Sequence, residues 1–209
     1  MIVTSTNRRL ESLQVVCRLS PLQRSLKRSA DIVGAILCLL LTSPVLLLTA
    51  LAVKINDGGS IFFLQERVGM GGKTFKIIKF RSLHQQEGEG LTPVHDKDLS
   101  RFGRWLRRHH LDELPQLWNV LRGDMSFVGY RPERKVYIEQ IMQHDSRYEC
   151  LYQLRPGLTS EATIYNGYTD TMDKMLNRLT MDLQYLEEVS FTKDISLIFK
   201  TISVVFKGK

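Results

Sequence analysis

Twenty-two consecutive residues without a charge, Ile32 to Val53, constrain this chain more than any other feature. As a helix rising about 1.5 Å per residue they would measure roughly 33 Å, enough to cross a hydrocarbon core of about 30 Å. The centre of the run, however, reads Leu41-Thr42-Ser43-Pro44-Val45. A proline there removes one backbone hydrogen bond and bends the helix, and Thr42 and Ser43 stand beside it to satisfy freed carbonyls. Bent sharply at Ser43-Pro44, the two arms are each too short to cross. Both flanks are basic, with Arg18, Arg24, Lys27 and Arg28 before the run and Lys54, Arg67, Lys73, Lys76, Lys79 and Arg81 after it. Charge therefore casts no vote for placing the flanks on opposite sides of a membrane. The pattern predicts a re-entrant membrane helix over 31–54 that enters and leaves by the cytoplasmic face. A cleaved signal peptide is the competing reading, since Ala50-Leu51-Ala52 resembles a cleavage site. Against it, the charged leader and the apolar run both exceed the usual dimensions.

Residues 55–209 suffice for one globular domain with its own core, behind an N-terminal extension of residues 1–30. The balance of 29 Lys+Arg against 22 Asp+Glu gives a net charge of +7, which suits nucleic acid, anionic headgroups or a phosphorylated substrate equally. Cys17, Cys38 and Cys150 are widely spaced with no metal-ligand pattern, and read as reduced thiols on the cytoplasmic side.

Residues 60–68 and 74–81 read as strands joined through Gly69-Met70-Gly71-Gly72 and predict a β-hairpin, the only sheet the sequence supports. Residues 83–100 are polar with Gly88, Gly90 and Pro93, and read as a loop able to act as a lid. Helical patterns follow at roughly 99–109, 113–122, 133–143, 171–188 and 193–206, with a Gly/Pro-punctuated stretch at 155–168. The expected class is α+β, mostly helical: a re-entrant helix, a small hairpin and amphipathic helices. The segment from Ile195 to Phe206, with Lys193, Lys200 and Lys207 on its edges, fits an interfacial helix or a core-packing helix equally.

The chemistry-bearing stretch is Leu111-Asp112-Glu113-Leu114-Pro115-Gln116-Leu117-Trp118-Asn119-Val120, followed by Gly123-Asp124-Met125-Ser126 and Gly129-Tyr130-Arg131-Pro132. Pro115 suits the first turn of a helix whose apolar face is Leu117, Trp118, Val120 and Leu121. Asp112 and Glu113 would then sit in the positive field of that helix N-terminus, downstream of Arg104, Arg107, Arg108, His109 and His110. Alone, they fit an N-cap and a first-turn charge. Adjacent histidines point differently on a helix, which argues against His109 and His110 sharing a metal.

Read together, these motifs resemble a known family. Asp31 ahead of the Ser-Pro-centred run, Gln65-Glu66-Arg67-Val68-Gly69, Phe75-Lys76-Ile77-Ile78-Lys79-Phe80-Arg81-Ser82, the Leu111–Gln116 motif, Gly123-Asp124-Met125-Ser126, Arg131-Pro132, Arg155-Pro156-Gly157 and Asp182-Leu183-Gln184-Tyr185 occur in the order found in bacterial sugar transferases. These are monotopic phosphoglycosyl transferases that start exopolysaccharide, capsule and glycan assembly at the cytoplasmic face of the bacterial inner membrane. The resemblance covers about residues 26–207. It implies transfer of a phospho-sugar from a UDP-sugar to polyprenyl phosphate with release of UMP, through a covalent aspartyl intermediate and with Mg²⁺. Carried over by position, Asp112 is the nucleophile and Mg²⁺ ligand and Glu113 its partner in the dyad. Lys79, Arg81, Arg131, Arg155 and Asp182 are the substrate-binding candidates. Two stretches depart from the family pattern: Tyr130-Arg131-Pro132 stands where many members have Pro-Arg-Pro, and Ser160-Glu161-Ala162 where many have Gly-Trp-Ala. The second stretch is expected near the nucleotide or sugar.

Membrane lipids are the third partner this reading implies, homo-oligomerisation stays open, and nucleic acid is not a partner. A membrane-tethered nucleic-acid binder would use the Arg104-Trp105-Leu106-Arg107-Arg108 cluster but gives no reason for the acid pair or for Ser43-Pro44. A catalytically silent membrane scaffold would not need the acids and the basic phosphate contacts together.

Overall fold

The computed structural model describes residues 15–82, 101–167, 169 and 171–207. The first fourteen residues and the loop expected to act as a lid lie outside the described residues. Helix α1, Pro21–Asp57, starts eleven residues before the apolar run. Ser20 caps it, accepting from the Gln23 N–H while the Gln23 side chain accepts from the Ser20 N–H, with Pro21 at the first helical position. The expected boundary between residues 30 and 31 is therefore no structural break. Gly58, at φ +66°, ends the helix by donating to the Lys54 carbonyl. Pro44 lies inside a continuous helix, not between two helices. The carbonyl it leaves free, that of Leu40, accepts from the Ser43 hydroxyl at 2.8 Å, and Thr42 donates to the Cys38 carbonyl at 2.6 Å.

Both arms of α1 are fastened to the same body. On the N-terminal arm Lys27 pairs with Asp194, and Arg28 donates to the Val120 and Leu121 carbonyls at 2.6 and 2.8 Å. Asp31 accepts from the Ser126 hydroxyl and the Phe127 N–H, each at 3.1 Å. Ala35 is buried with Ile77, Val120 and Met125. On the C-terminal arm Val53 is buried with Phe80 and Leu106, joined by Leu46 and Ala50. Between these anchors Leu40, Leu41, Leu47 and Leu48 are exposed, Leu41 by 79%.

Strands β1 (Phe62–Val68) and β2 (Thr74–Phe80) form the expected antiparallel hairpin, Phe62 opposite Phe80 and Val68 opposite Thr74. Gly71 and Gly72 turn it at φ +68° and +71°, a region costly for other residues. Helix α2 (Arg101–Arg108) leads to a 3₁₀ segment, Leu111–Gln116, and helix α3 (Leu117–Arg122). Next come β3 (Ser126–Val128), α4 (Lys135–His144), a 3₁₀ segment at Ser146–Gln153, β4 (Gly157–Thr159), α5 (Glu161–Tyr165), α6 (Met172–Glu188) and α7 (Phe191–Lys207). The main core gathers Tyr130, Ile138, Leu151, Leu179, Leu186 and Leu197 from these elements. Each such side chain contributes on the order of 1.5–3 kcal/mol by leaving water. Helix α7 sends Leu197 into that core while Phe191, Ile195, Phe199 and Ile202 stay exposed, so it has features of both readings offered for it. All three cysteines are free thiols.

The sequence supported one sheet; the fold has a second, because β3 and β4 pair in parallel, Ser126 beside Gly157 and Val128 beside Thr159. The chain crosses there at glycine-only distance: a Cβ on Gly157 would lie 2.1 Å from the Gly129 nitrogen and 2.5 Å from the Thr159 oxygen. Backbone on both sides leaves nothing to yield. Gly157→Ala is expected to cost about 3 kcal/mol or more, lowering the melting temperature by roughly 6–12 °C in a circular-dichroism melt. A change under 2 °C would mean that the β3–β4 contact is looser than drawn.

Candidate active site

The acid pair sits on the 3₁₀ segment, not in the first turn of an α-helix, and Asp112 is not a helix N-cap. His110, at φ +53° the one non-glycine residue with positive φ among those described, turns the chain out of α2 and into this segment. Three residues per turn eclipse every third side chain. Leu111, Leu114 and Leu117 thus fall on one face, Asp112 and Pro115 on a second, Glu113 and Gln116 on the third. Leu111 packs at the Val53 cluster and Leu117 is 3% exposed, so the leucine face is the anchor. The two acids point about 120° apart and meet different surroundings.

Glu113 takes the cations. Lys79 Nζ lies 2.8 Å from its Oε1, and Arg131 Nη2 lies 3.5 Å from the same atom. Burial raises the carboxyl pKa, but Lys79 and Arg131 outweigh it and hold Glu113 below its ordinary value. Asp112 is shifted the other way. Burial and the neighbouring Glu113 charge raise it, opposed by Lys79, Arg107 and His110. Beside them opens a shallow cleft lined by Arg67, Ile77, Lys79, Gln116, Arg131, Pro132 and Gly157.

Asn119 was not singled out in the sequence, yet it fixes this geometry. Fully buried, it accepts from the Ile78 N–H at 3.0 Å and donates to the Lys76 carbonyl at 2.8 Å, bracing β2, and with it Lys79, against α3. Without it two part-buried backbone groups of β2 would lose their partner. The signal was there: a polar residue between Leu117 and Val120 on an apolar face. Glu133 braces the other side, pairing with Arg67 at 3.1 Å and with Arg178.

Asp182, proposed from sequence as substrate-binding, is 2% exposed and accepts from the Arg131 backbone N–H, so it supports Arg131 from behind. Burial pushes its carboxyl up to about 8, against the pull of Arg178 and of the Arg131 N–H. A raised value means that the folded state holds the proton which the unfolded chain releases near pH 3.8, so stability falls as pH rises from about 4 to 8. Asp182→Asn should remove this slope. Melting points across that range are expected to show wild type losing ground to the variant as pH rises, then a constant gap above pH 8. A gap independent of pH would contradict the burial of an ionisable Asp182.

Arg155 is likewise not brought to the acids: its Nε donates to the Gly123 carbonyl at 3.0 Å, near Arg28 and Asp31. Arg81 ends the hairpin, its N–H donating to the Ile61 carbonyl. His109 Nδ1 lies 2.8 Å from the Trp105 carbonyl, an α2 contact.

A family profile described as bacterial sugar transferase matches residues 22–208. The chain is 36% identical over 203 residues to the exopolysaccharide production protein ExoY of Rhizobium meliloti, covering 88% of this chain and 87% of that protein. This chain belongs to the bacterial sugar transferase family. It is also 45% identical over 195 residues to the UDP-glucose:undecaprenyl-phosphate glucose-1-phosphate transferase of Escherichia coli K12, and 36% over 192 residues to the UDP-N-acetylgalactosamine-undecaprenyl-phosphate N-acetylgalactosaminephosphotransferase of Aeromonas hydrophila. These alignments take in 91% and 90% of this chain but only 41% and 45% of those relatives, so the chain spans less than half their length.

Within this family member the Ser160-Glu161 departure has a structural role. Ser160 caps α5 by accepting from the Thr163 N–H at 3.0 Å, and Glu161 pairs with Lys193 of α7 at 2.8 Å. For Mg²⁺ the donor set fits. Among the described residues no group of three or more His, Cys, Asp or Glu could enclose a metal. Mg²⁺ needs none, since it takes one or two carboxylates and completes its shell with waters and substrate phosphates. Asp112, with Glu113 committed to Lys79 and Arg131, is the carboxylate left to offer.

Proposed function

We propose that this sugar transferase moves a phospho-sugar from a UDP-sugar to polyprenyl phosphate, releasing UMP. The observation that carries the reading is the Lys79–Glu113–Arg131 arrangement beside Asp112, at the rim of a cleft whose other charged residue is a third cation, Arg67. Such a site is built to hold phosphate oxygens and the charge that grows as a diphosphate breaks. In the first step an Asp112 oxygen attacks the sugar-bearing phosphorus; the bond from that phosphorus to the bridging oxygen breaks, and UMP leaves with the electron pair. In the second, a polyprenyl phosphate oxygen attacks the same phosphorus and Asp112 departs as carboxylate. Glu113 holds Lys79 and Arg131 where they can turn toward phosphate. Mg²⁺ bound at Asp112 would supply charge neutralisation between carboxylate and diphosphate.

The same reading makes α1 a re-entrant wedge on the cytoplasmic side. Ile77 and Phe80 of β2 join the clusters that bury Ala35 and Val53. Those β2 residues are about 10 Å apart on a strand, whereas Ala35 and Val53 would be roughly 27 Å apart on a straight helix. A bend at Pro44 reconciles the two lengths and leaves an apolar tip for lipid. Trp105 and the α7 stripe, each at least 40% exposed, suit the interface.

The test is UMP release by the purified chain in nanodiscs holding undecaprenyl phosphate, against a panel of UDP-sugars with and without Mg²⁺. One or more sugars should support metal-dependent release. No release from any would overturn the assignment.

A further inference from the structure

Gln116 has no role in the account so far, and its situation is unusual. It is 5% exposed and lines the cleft between Lys79 and Arg131, yet among the described residues its side-chain amide has no hydrogen-bond partner. The amide atoms are not among the buried ones left without a partner, so they open to the cleft, where a group outside the chain can meet them. The 3₁₀ spacing gives the reason for its aim: Gln116 is three residues beyond Glu113 and eclipses it, so both project from the face that meets Lys79 and Arg131. Every other polar side chain lining the cleft, Arg67, Lys79 and Arg131, is a cation, and none is an acid. Glu113 and Glu133 pair with these cations from outside the lining, and the surface turned to the cleft carries cations alone, so it favours an anion, toward which an amide can offer only its N–H groups.

We propose that Gln116 is a phosphate-binding residue, its Nε2 donating to an oxygen of the phosphate held between Lys79 and Arg131. The nature of that phosphate, donor diphosphate or lipid phosphate, rests on the transferase reading; the contact itself is set by the cleft. The neutral amide adds a directional donor that a flexible lysine does not supply, and so fixes the orientation of the phosphate about the Lys79–Arg131 axis.

Two near-isosteric variants test it. Gln116→Met removes donor and acceptor; Gln116→Glu keeps an acceptor and adds negative charge. Pyrophosphate, which has no hydroxyl of a sugar, and UMP are titrated calorimetrically into the full chain in nanodiscs. Gln116→Met is expected to weaken both about 5- to 30-fold, and Gln116→Glu at least as much, with melting points within a few degrees of wild type. The KM that rises in turnover identifies the source: that for UDP-sugar if the donor phosphate is bound, that for polyprenyl phosphate if the lipid phosphate is. Should Gln116→Glu bind as wild type while Gln116→Met does not, the amide oxygen is the working atom, facing a hydroxyl, and the proposal falls. It falls too if both variants bind pyrophosphate normally. If either variant fails to fold, Gln116→Asn, which withdraws the amide by one methylene, must show the same loss. Failure of the transferase reading would look different: wild type would bind pyrophosphate, and the variants would not, with no UMP released by any of them.

Discussion

Asp112→Asn is expected to abolish turnover, by about 1000-fold or more, in a protein at least as stable as wild type. The two halves of this expectation have one cause. Burial and the adjacent Glu113 raise the Asp112 carboxyl above its ordinary value, so the folded state disfavours its ionised form. Ionised Asp112 therefore destabilises the fold increasingly as pH rises, and an amide of the same size removes that cost. A residue kept only for structure would behave oppositely. Melting points at pH 8 should place the variant level with wild type or above it. Added Mg²⁺ should raise the wild-type value while leaving the variant unmoved, since a cation bound only by the folded state stabilises by mass action. Intact-mass analysis after incubation with the UDP-sugar alone should show wild type heavier by one phospho-sugar and the variant unchanged. Turnover within tenfold of wild type, or a clear loss of stability, would remove Asp112 as nucleophile.

What could be read in the sequence is what local pattern encodes. The β1–β2 hairpin announced itself by two short strand-like runs around a glycine-rich turn, and the acid pair by its company. The start of α1 was also encoded, in Ser20-Pro21-Leu22-Gln23, but the eye follows the uncharged run and the capping box lies eleven residues upstream of it. The 3₁₀ segment was written as leucine at every third position, 111, 114 and 117, and a search at 3.6 residues per turn passes over it. Trp118, expected on the apolar face, is 50% exposed for the same reason: α3 begins only at Leu117 and is too short to need a full stripe. The β3–β4 pair joins two segments of three residues some thirty apart in sequence, so no local period could reveal it. The roles assigned by resemblance to Arg155 and Asp182 treated them as substrate contacts. Folding sets one against the Gly123 carbonyl and the other behind Arg131, neighbours that no local period in the sequence encodes.

The sidedness of α1 should be all-or-none. Arg18 precedes the apolar run and Glu139 lies on the globular body, both exposed. In a background lacking Cys17, Cys38 and Cys150, cysteine at either position should resist an impermeant thiol reagent in intact spheroplasts, and both should be labelled after lysis. The proposed chemistry requires it, because UDP-sugars are cytoplasmic and, on that reading, Asp112 meets them and a lipid phosphate on one face. The contacts demand it as well: Lys27 with Asp194, Arg28 with the Val120 and Leu121 carbonyls and Asp31 with Ser126 all tie the leading arm to the body that also buries Val53. Replacing Ser43-Pro44 by Ala-Leu restores the backbone hydrogen bond and favours a straight apolar helix of roughly 33 Å, which can span. Spanning would tear the leading arm from the body, so the position-18 cysteine should become reactive in intact spheroplasts as UMP release falls. Labelling of that cysteine with Pro44 still in place would refute the wedge and make α1 a single-pass anchor.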